Sequence, residues 1–368
     1  MRVLLINPWE GEVFPTPAIG YLQSVLKAND IDVKAMDLSK AMNEPDDYDL
    51  VAVTFHSFSV KYARTIRDKF KGHLICGGHH SSALPDQMLS IGYDQVIIGE
   101  GEKAIMDVIN GNTSKIIKGE ISEIDSIPYP DYTGLNYWGT MGIPVISSRG
   151  CPFACNFCAS SHFWNRKYRM RSVDNVLNEI SLRIRQGFKQ WMFEDDNFTA
   201  NKQRVIDICA GISEMGSFDW QCASRAESLD EEICRALKLA GCKTVWIGVE
   251  SLSQESLNRC NKNTTVEKML KGIETAEKIG LETMSQFIIG LPGDSLKDIN
   301  LTVQNIKKSA IKRKGTNILW VLPNTEAYRL AKEKGFSDEI YLQNGAPFYT
   351  FEQNIETLRY WSSLIDNA

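Results

Sequence analysis

Short apolar runs alternate with helix-like segments along the first part of the chain. Their spacing predicts strands at 2–6, 32–36, 50–54, 73–76 and 95–98, and helices at 19–28 and 62–70. Runs that are apolar throughout are typical of strands buried on both faces, which is the pattern of a parallel sheet covered by helices. We therefore predict an α/β domain over 1–119.

A second alternation follows the segment 120–142, whose prolines and turn residues indicate a linker. The predicted strands are 143–147, 190–193, 218–223, 244–249, 283–289 and 317–321, with helices at 174–186, 202–214, 230–240, 264–279 and 295–309. Six β/α units of this size indicate a complete or partial barrel over 143–330, with its site on the face that carries the loops after the strands. The aromatic-rich segment 331–368 is expected to cap the barrel or line a substrate pocket.

Composition narrows the classes of protein that the pattern allows. The chain has 368 residues, 43% of them hydrophobic and 24% charged, with a formal net charge of -5. These values are ordinary for a globular protein and give no support for a nucleic-acid or membrane partner. Since no apolar run reaches spanning length and the amino-terminal run is too short for a signal peptide, we expect a cytoplasmic protein whose isolated cysteines are reduced.

Three cysteines stand apart from the others. Cys151, Cys155 and Cys158 lie within eight residues, in RGCPFACNFCAS, directly after the first predicted barrel strand. Structural zinc needs four ligands, which His162 would complete, but the spacing matches no common zinc motif. Packing of buried thiols is a second alternative. The compact spacing favours an iron–sulfur cluster, and three thiolates would leave one iron of a [4Fe–4S] cluster open to a ligand that is not a protein side chain.

The motif C-x3-C-x2-C, with an aromatic residue before its last cysteine, resembles that of the radical S-adenosylmethionine (SAM) superfamily. Further motifs resemble the subgroup that has an N-terminal cobalamin-binding domain. In the barrel these are RGCPF (149–153), RMRS (169–172), DDNFT (195–199), SR (224–225), GVES (248–251), NKNTT (261–265), FIIGLPG (287–293) and LPNT (322–325). Before the barrel they are PAIGYL (17–22), GGHHSSALP (77–85), GEGE (99–102) and IPYPD (127–131).

The resemblance implies a fold and a chemistry. The fold is an N-terminal Rossmann-like (flavodoxin-like) domain of the cobalamin-binding type, followed by a partial (β/α)6 radical SAM barrel. SAM binds the open iron of the [4Fe–4S] cluster and is cleaved reductively to methionine and a 5′-deoxyadenosyl radical, which abstracts hydrogen from an unreactive C–H bond. The implied partners are an electron donor such as flavodoxin or ferredoxin and a small-molecule or peptide substrate.

The resemblance also implies which residues surround SAM. Phe157, Gly290 and Gly293 lie where the family holds the adenine. The positions near the ammonium group are those of Glu194, Asp195 and Asp196, since carboxylates suit a cation. The remaining expected contacts are Arg225 with the SAM carboxylate, and Glu250 and Ser251 with the ribose.

A cobalamin site is expected at the carboxyl ends of the N-terminal strands, where open parallel sheets bind ligands. Its candidate residues are Trp9, His56, Ser57, Gly77, Gly78, His79, Gly99 and Glu100. Corrinoid-binding proteins often supply a cobalt-ligating histidine from a D-x-H-x-x-G motif. Here the first strand is followed by NPWEG, so the resemblance implies cobalamin bound without that ligand.

Two enzyme functions and one binding function follow. With cobalamin, the expected reaction is methylation of an unactivated carbon or phosphorus centre. The alternatives are a radical rearrangement, cyclisation or oxidation without methyl transfer, and a non-catalytic corrinoid or iron–sulfur protein. The intact cysteines and SAM positions argue against the last.

Overall fold

The computed structural model describes residues 1–9, 16–135 and 142–368. They form two compact units. The N-terminal unit comprises 1–9, 16–135 and Phe336–Pro347, and the barrel unit comprises 142–335 and Phe348–Ala368. The segment 331–368, expected as one piece, is thus divided between the units. Part of the expected linker, 136–141, lies outside the described residues.

The N-terminal unit is built on a six-stranded parallel sheet. Its strands are β1 (Arg2–Asn7), β2 (Asp32–Asp37), β3 (Leu50–Thr54), β4 (His73–Gly77), β5 (Gln95–Gly99) and β6 (Ile116–Gly119). Its first six helices are α1 (Pro17–Ala28), α2 (Leu38–Ala41), α3 (Ala63–Lys69), α4 (Gly78–Ala83), α5 (Pro85–Ser90) and α6 (Gly101–Ile109). The strand order β2-β1-β3-β4-β5-β6 is the flavodoxin-like order extended by one strand.

The sequence predicted five of these strands because apolar residues make up most of each run. All five residues of β3 are buried, as are five consecutive residues of β1. Strand β6 was missed because it is a short edge strand in which only Ile117 is buried. The order of the sheet reverses between β1 and β3, and in open sheets ligands bind in the crevice outside the carboxyl ends of such strands.

The barrel unit contains a second six-stranded parallel sheet, in the order β7-β10-β11-β12-β13-β14. Its strands are β7 (Ile143–Val145), β10 (Gln190–Phe193), β11 (Asp219–Ser224), β12 (Cys242–Glu250), β13 (Glu282–Ile289) and β14 (Lys314–Ile318). The short strands β8 (Ser148–Arg149) and β9 (Arg169–Met170) pair with each other in antiparallel fashion. These two parallel sheets confirm the predicted fold class.

Helices follow the strands of the barrel unit. They are α7 (Ala159–Phe163), α8 (Val173–Arg185), α9 (Lys202–Met215), α10 (Glu231–Leu239), α11 (Gln254–Arg259), α12 (Val266–Ile279), α13 (Leu296–Lys307) and α14 (Glu326–Glu333). Helix α15 (Glu339–Asn344) belongs to the N-terminal unit, whereas α16 (Ile355–Asp366) belongs to the barrel unit. Within the described ranges, none of the helices has both the length and the apolar content needed to cross a membrane.

Two predicted barrel strands differ from the structure. The first strand ends at Val145 rather than at 147, since the serines that follow turn toward a buried carboxylate described below. The last strand was predicted at 317–321 but lies at Lys314–Ile318, in register with β13. The apolar run was misleading because Leu319 and Val321 are buried beyond the end of the strand, and Trp320 forms an isolated bridge to Phe348.

A buried ion triad fixes the chain segment that returns from the cysteine loop to helix α8. The Glu179 carboxylate receives Arg171 Nη1 at 2.5 Å and Arg183 Nη2 at 2.9 Å, and these three side chains are at most 4% exposed. Arg171 also donates from Nη1 to the carbonyl of Ile146 at 2.7 Å. The triad therefore connects α8 to the end of β7, next to the site.

We predict that Glu179→Ala destabilises the protein by about 3–5 kcal/mol, because it leaves two buried guanidinium groups without their counter-charge. The measurement is the free energy of unfolding from denaturant titration of the whole chain. The matched control is Glu274→Ala, which removes an exposed i,i+4 pair with Lys278 and is expected to cost at most about 1 kcal/mol. Equal losses for the two variants would contradict a stabilising role of the triad.

Candidate functional site

The cysteine loop runs from β8 to α7 and is held by hydrogen bonds along its length. Asn156 donates its backbone N–H to the Cys260 carbonyl at 3.1 Å, and Asn261 Nδ2 donates to the Ala154 carbonyl at 2.7 Å. The Cys158 N–H donates to the carbonyl of Cys155 at 3.2 Å. The loop is thus anchored to the turn after α11 before any ligand is bound.

The three cysteines of this loop are free thiols that fit an iron–sulfur cluster. Cys155 is buried, and Cys151 and Cys158 are partly exposed. Burial raises the pKa of the Cys151 thiol, and that of Cys158 to about 11, so the thiolates need the positive charge of bound iron. Each thiolate of such a cluster binds its own iron, so the three sulfur atoms need not converge on one ion.

A zinc site, in contrast, would require its ligands to converge on one metal ion. In the parts of the chain that the structure describes, no three His, Cys, Asp or Glu side chains are placed to hold one metal ion. His162, the suggested fourth ligand, is an exposed residue of α7. The donor set of the loop remains three soft thiolates, which is the set that iron–sulfur clusters use.

Arg225 lies beside the cysteine loop. Its Nη1 is 3.5 Å from the Cys155 Sγ, and its guanidinium carbon is 3.9 Å from the centre of the Phe153 ring. Nε donates to Glu227 at 2.5 Å, and Nη2 donates to the Lys262 carbonyl. The structure therefore places the predicted SAM-carboxylate residue against a cluster cysteine.

Three acidic residues after β10 were expected together at SAM, but they have different surroundings. Asp195 is buried and accepts hydrogen bonds from the Ser147 N–H at 2.7 Å, the Ser147 hydroxyl at 2.6 Å and the Ser148 hydroxyl at 2.5 Å. Asp196 accepts from the Gly150 N–H at 3.2 Å. Both carboxylates thus bond to the chain that leads into the cysteine loop.

Glu194 is the exception among the three. In the described residues its carboxylate has no hydrogen-bond partner. Desolvation by the surrounding protein, and then the charge of Asp195, raise its pKa to about 7. An uncompensated carboxylate with this pKa is suited to a cationic ligand, which would favour its ionised form.

Glu250 and Ser251 follow β12 at an irregular position of the sheet. Glu250 has φ +65°, and the strand register shifts between Gly248 and Glu250. Its carboxylate is paired with the buried Lys262 at 2.9 Å, while the Ser251 hydroxyl accepts from the Ser253 N–H at 3.1 Å. Lys262 was not among the predicted site residues, although the NKNTT motif contains it.

The three residues expected at the adenine lie in two regions. Phe157, within the cysteine loop, is partly exposed. Gly290 has φ +82°, and a Cβ there would lie 2.7 Å from Leu358 of α16. The Gly293 N–H donates to the Glu352 carboxylate at 2.7 Å. Packing against Leu358 at Gly290, and the left-handed backbone at Gly293 (φ +79°), therefore explain both glycines without a ligand.

In the N-terminal unit the predicted histidines come together at the carboxyl edge of the sheet. The rings of His56 and His79 stack with centroids 5.4 Å apart and an interplanar angle of 28°. Burial lowers the pKa of both imidazoles to about 4, with the charge of His79 as a second cause at His56, so both are neutral at pH 7. Ser57 points elsewhere, since its hydroxyl pairs with His80 Nδ1 at 2.9 Å.

The other residues predicted at cobalamin have structural contacts. Glu100 accepts from the Ile121 N–H at 2.9 Å, and the Gly99 N–H donates to the Ser82 hydroxyl at 3.1 Å. Gly77 and Gly78 form the turn from β4 into α4, and a Cβ at Gly78 would lie 2.6 Å from the Thr54 hydroxyl oxygen. The Trp9 N–H donates to the Asn7 carbonyl at 2.8 Å, and the next residues of NPWEG, 10 and 11, lie outside the described ranges.

The fold and the cysteine loop define a class: a partial β/α barrel with a three-thiolate iron–sulfur site, preceded by a flavodoxin-like unit. The family model for the radical SAM superfamily matches residues 145–306. An uncharacterized methyltransferase from Pyrococcus horikoshii is 30% identical, over 90% of this chain and 83% of its own. The bacteriochlorophyllide d C-8(2)-methyltransferase of Chlorobaculum tepidum is 27% identical, over 80% of this chain and 70% of its own.

Solved structures share the same architecture. The radical SAM methyltransferase TsrM from Kitasatospora setae, solved with cobalamin and a [4Fe–4S] cluster bound, superposes with a TM-score of 0.71 at 18% identity. The match covers 90% of this chain and 78% of TsrM. The chain therefore belongs to the radical SAM superfamily, whose cofactors are a [4Fe–4S] cluster and SAM, as the motifs predicted.

We predict that alanine at Cys151, Cys155 or Cys158 removes most of the iron and sulfide that the protein holds after anaerobic reconstitution. Each thiolate binds one iron, so the loss of one leaves two of the four irons without a protein ligand. Iron and sulfide analysis and the visible absorption spectrum measure the effect. Cys76→Ala, at a buried cysteine of β4, is the control and should retain the full content. A Cys155→Ala variant with a complete cluster would refute the ligand assignment.

Proposed function

We propose that this chain is a cobalamin-dependent radical SAM enzyme that methylates an unactivated carbon or phosphorus centre of a small-molecule or peptide substrate. The observation that carries the proposal is the pairing of two sites in one chain. The barrel unit presents three thiols on an anchored loop, and the N-terminal unit presents two stacked imidazoles at the carboxyl edge of a flavodoxin-like sheet. The names of the two curated relatives and the cobalamin bound to TsrM support it.

The N-terminal domain, 1–119, is the part that would hold cobalamin, and the barrel, 143–330, would hold the cluster and SAM. In the family the cluster supplies the electron that cleaves SAM, and cobalamin carries the methyl group. The protein's contribution is to bind, orient and shield these groups. The hydrogen bonds of Asp195 and Asp196 hold the approach to the cysteine loop, so the thiols keep their positions during turnover.

Two acidic residues of the barrel would contact different parts of SAM. Glu194 would meet its ammonium group, because its carboxylate has no other partner within the described residues. Glu250 would accept a ribose hydroxyl, held in place by Lys262. The electron would come from a cytoplasmic one-electron donor such as flavodoxin or ferredoxin.

A cofactor experiment tests the reaction class. Protein reconstituted anaerobically with iron, sulfide and cobalamin is supplied with SAM and a reductant, and 5′-deoxyadenosine and S-adenosylhomocysteine are measured. Methylation predicts both products, with S-adenosylhomocysteine dependent on added cobalamin. Deoxyadenosine alone, with corrinoid bound, would favour a rearrangement, cyclisation or oxidation. Neither product, with an intact cluster, would indicate a non-catalytic binding protein and overturn the proposal.

We predict that SAM binds more tightly as the pH rises through about 7, because Glu194 then becomes ionised. Glu194→Gln should weaken binding at pH 8 by about tenfold, in the range expected for a hydrogen bond to a charged group, and should flatten the pH dependence. Equilibrium binding of SAM to the reconstituted protein between pH 6 and 8.5 measures both effects.

Asp219→Asn is the matched control, since Asp219 is an exposed acid at the opposite end of the same sheet. Its SAM affinity and pH profile should equal those of the unmodified protein. If Glu194→Gln keeps the same pH profile as well, Glu194 does not bind the ammonium group.

A further inference from the structure

We propose that His56 is an axial ligand to the cobalt of the bound corrinoid, and that the ring of His79 positions it. This inference rests on the proposed cobalamin dependence. The sequence left the axial ligand open, because NPWEG lacks the usual histidine.

Asn7, the last residue of β1, forms structural hydrogen bonds. Asn7 Nδ2 donates to the Asp37 carboxylate at 2.9 Å, and Asn7 Oδ1 accepts from the Thr16 hydroxyl at 2.7 Å. β1 pairs directly with β3, with Ile6 beside Val53. The carboxyl ends of β1 and β3 are therefore neighbours, and His56 lies just after β3 at this edge of the sheet.

The backbone around His56 is fixed. Its carbonyl accepts the N–H groups of Ser59 and Val60 at 3.0 and 3.1 Å, and its own N–H donates to the Ser59 hydroxyl at 3.2 Å. These bonds leave rotation of the side chain as the main remaining freedom of His56. Stacking on His79, which stands in the first turn of α4, restricts that rotation. The imidazole is thus preorganised, as a metal ligand should be.

The ring nitrogens of His56 and His80 differ in what they bind. Among the described residues, no group forms a hydrogen bond with either ring nitrogen of His56. His80 is fully buried, and both its nitrogens are engaged, by Ser57 at 2.9 Å and Gln87 at 2.8 Å. His56 therefore has a nitrogen lone pair available at the edge of the sheet, whereas His80 does not.

Coordination of cobalt by His56 would need no oxidant, reductant or proton transfer. A neutral imidazole donates its lone pair to cobalt and forms the Co–N bond. The group it displaces, water or the cofactor's own benzimidazole, leaves with its lone pair. The oxidation state of cobalt is unchanged and no proton is released.

Electron paramagnetic resonance of the protein loaded with cob(II)alamin tests the assignment. The whole chain is made with 15N-labelled histidine, while the cofactor keeps 14N. A histidine ligand splits each cobalt line into two, whereas the cofactor's own base splits it into three. We expect the two-line pattern in the unmodified protein and in His79→Phe, which keeps a planar ring. It should disappear in His56→Ala and return when 15N-imidazole is added.

The other possible results of this experiment would each contradict either the His56 assignment or the proposed cobalamin dependence. Bound corrinoid with a three-line pattern or no splitting in the unmodified protein, or a two-line pattern retained in His56→Ala, overturns the His56 assignment alone. Failure to bind corrinoid at all overturns the proposed cobalamin dependence. If His56→Ala no longer binds corrinoid, the variants His73→Ala, His79→Phe and His162→Ala identify the ligand instead. A two-line pattern retained in all three leaves His56 as the ligand, because both His80 nitrogens are engaged. Loss of the pattern in any of them assigns the ligand elsewhere.

Discussion

The buried carboxylate of Asp195 is the interaction on which the geometry of the barrel site depends. It accepts three hydrogen bonds from Ser147 and Ser148, and so ties the end of β10 to the chain that enters the cysteine loop. Arg204 adds two donors to Ser147, at its hydroxyl and its carbonyl. Burying an acidic group is costly unless its hydrogen bonds are complete, so this carboxylate holds the serines in one arrangement.

That constraint separates the roles of three adjacent acids. Asp195 is turned inward and Asp196 is bonded to Gly150, whereas the carboxylate of Glu194 has no hydrogen-bond partner among the described residues. The negative charge of Asp195 also contributes to the raised pKa of Glu194. The residue that builds the loop therefore also adjusts the residue proposed to bind SAM, and the two functions cannot be changed independently.

The sequence could predict the order of strands and the cysteine loop because both depend on local patterns. Apolar runs identify strands that are buried on both faces, and thiol spacing within one loop is a local property. It could not separate Glu194 from Asp195, because the direction of each side chain is decided by Ser147 and Ser148, far away along the chain. The polar edge strand β14 was misplaced for a related reason, since apolar residues such as Leu319 are buried just beyond the end of the strand.

The proposed His56 ligand would supply the chemistry of a corrinoid motif that the first loop lacks. A corrinoid motif is defined by its position after one strand. Coordination of cobalt, however, depends only on where the nitrogen lone pair lies in space. Because β1 and β3 are neighbours in the sheet, their loops reach the same crevice from positions that are about 50 residues apart in the sequence. A histidine after β3 can therefore take the place of one after β1. Topology rather than sequence spacing then decides which residue is available, so the missing motif is weak evidence against a protein ligand.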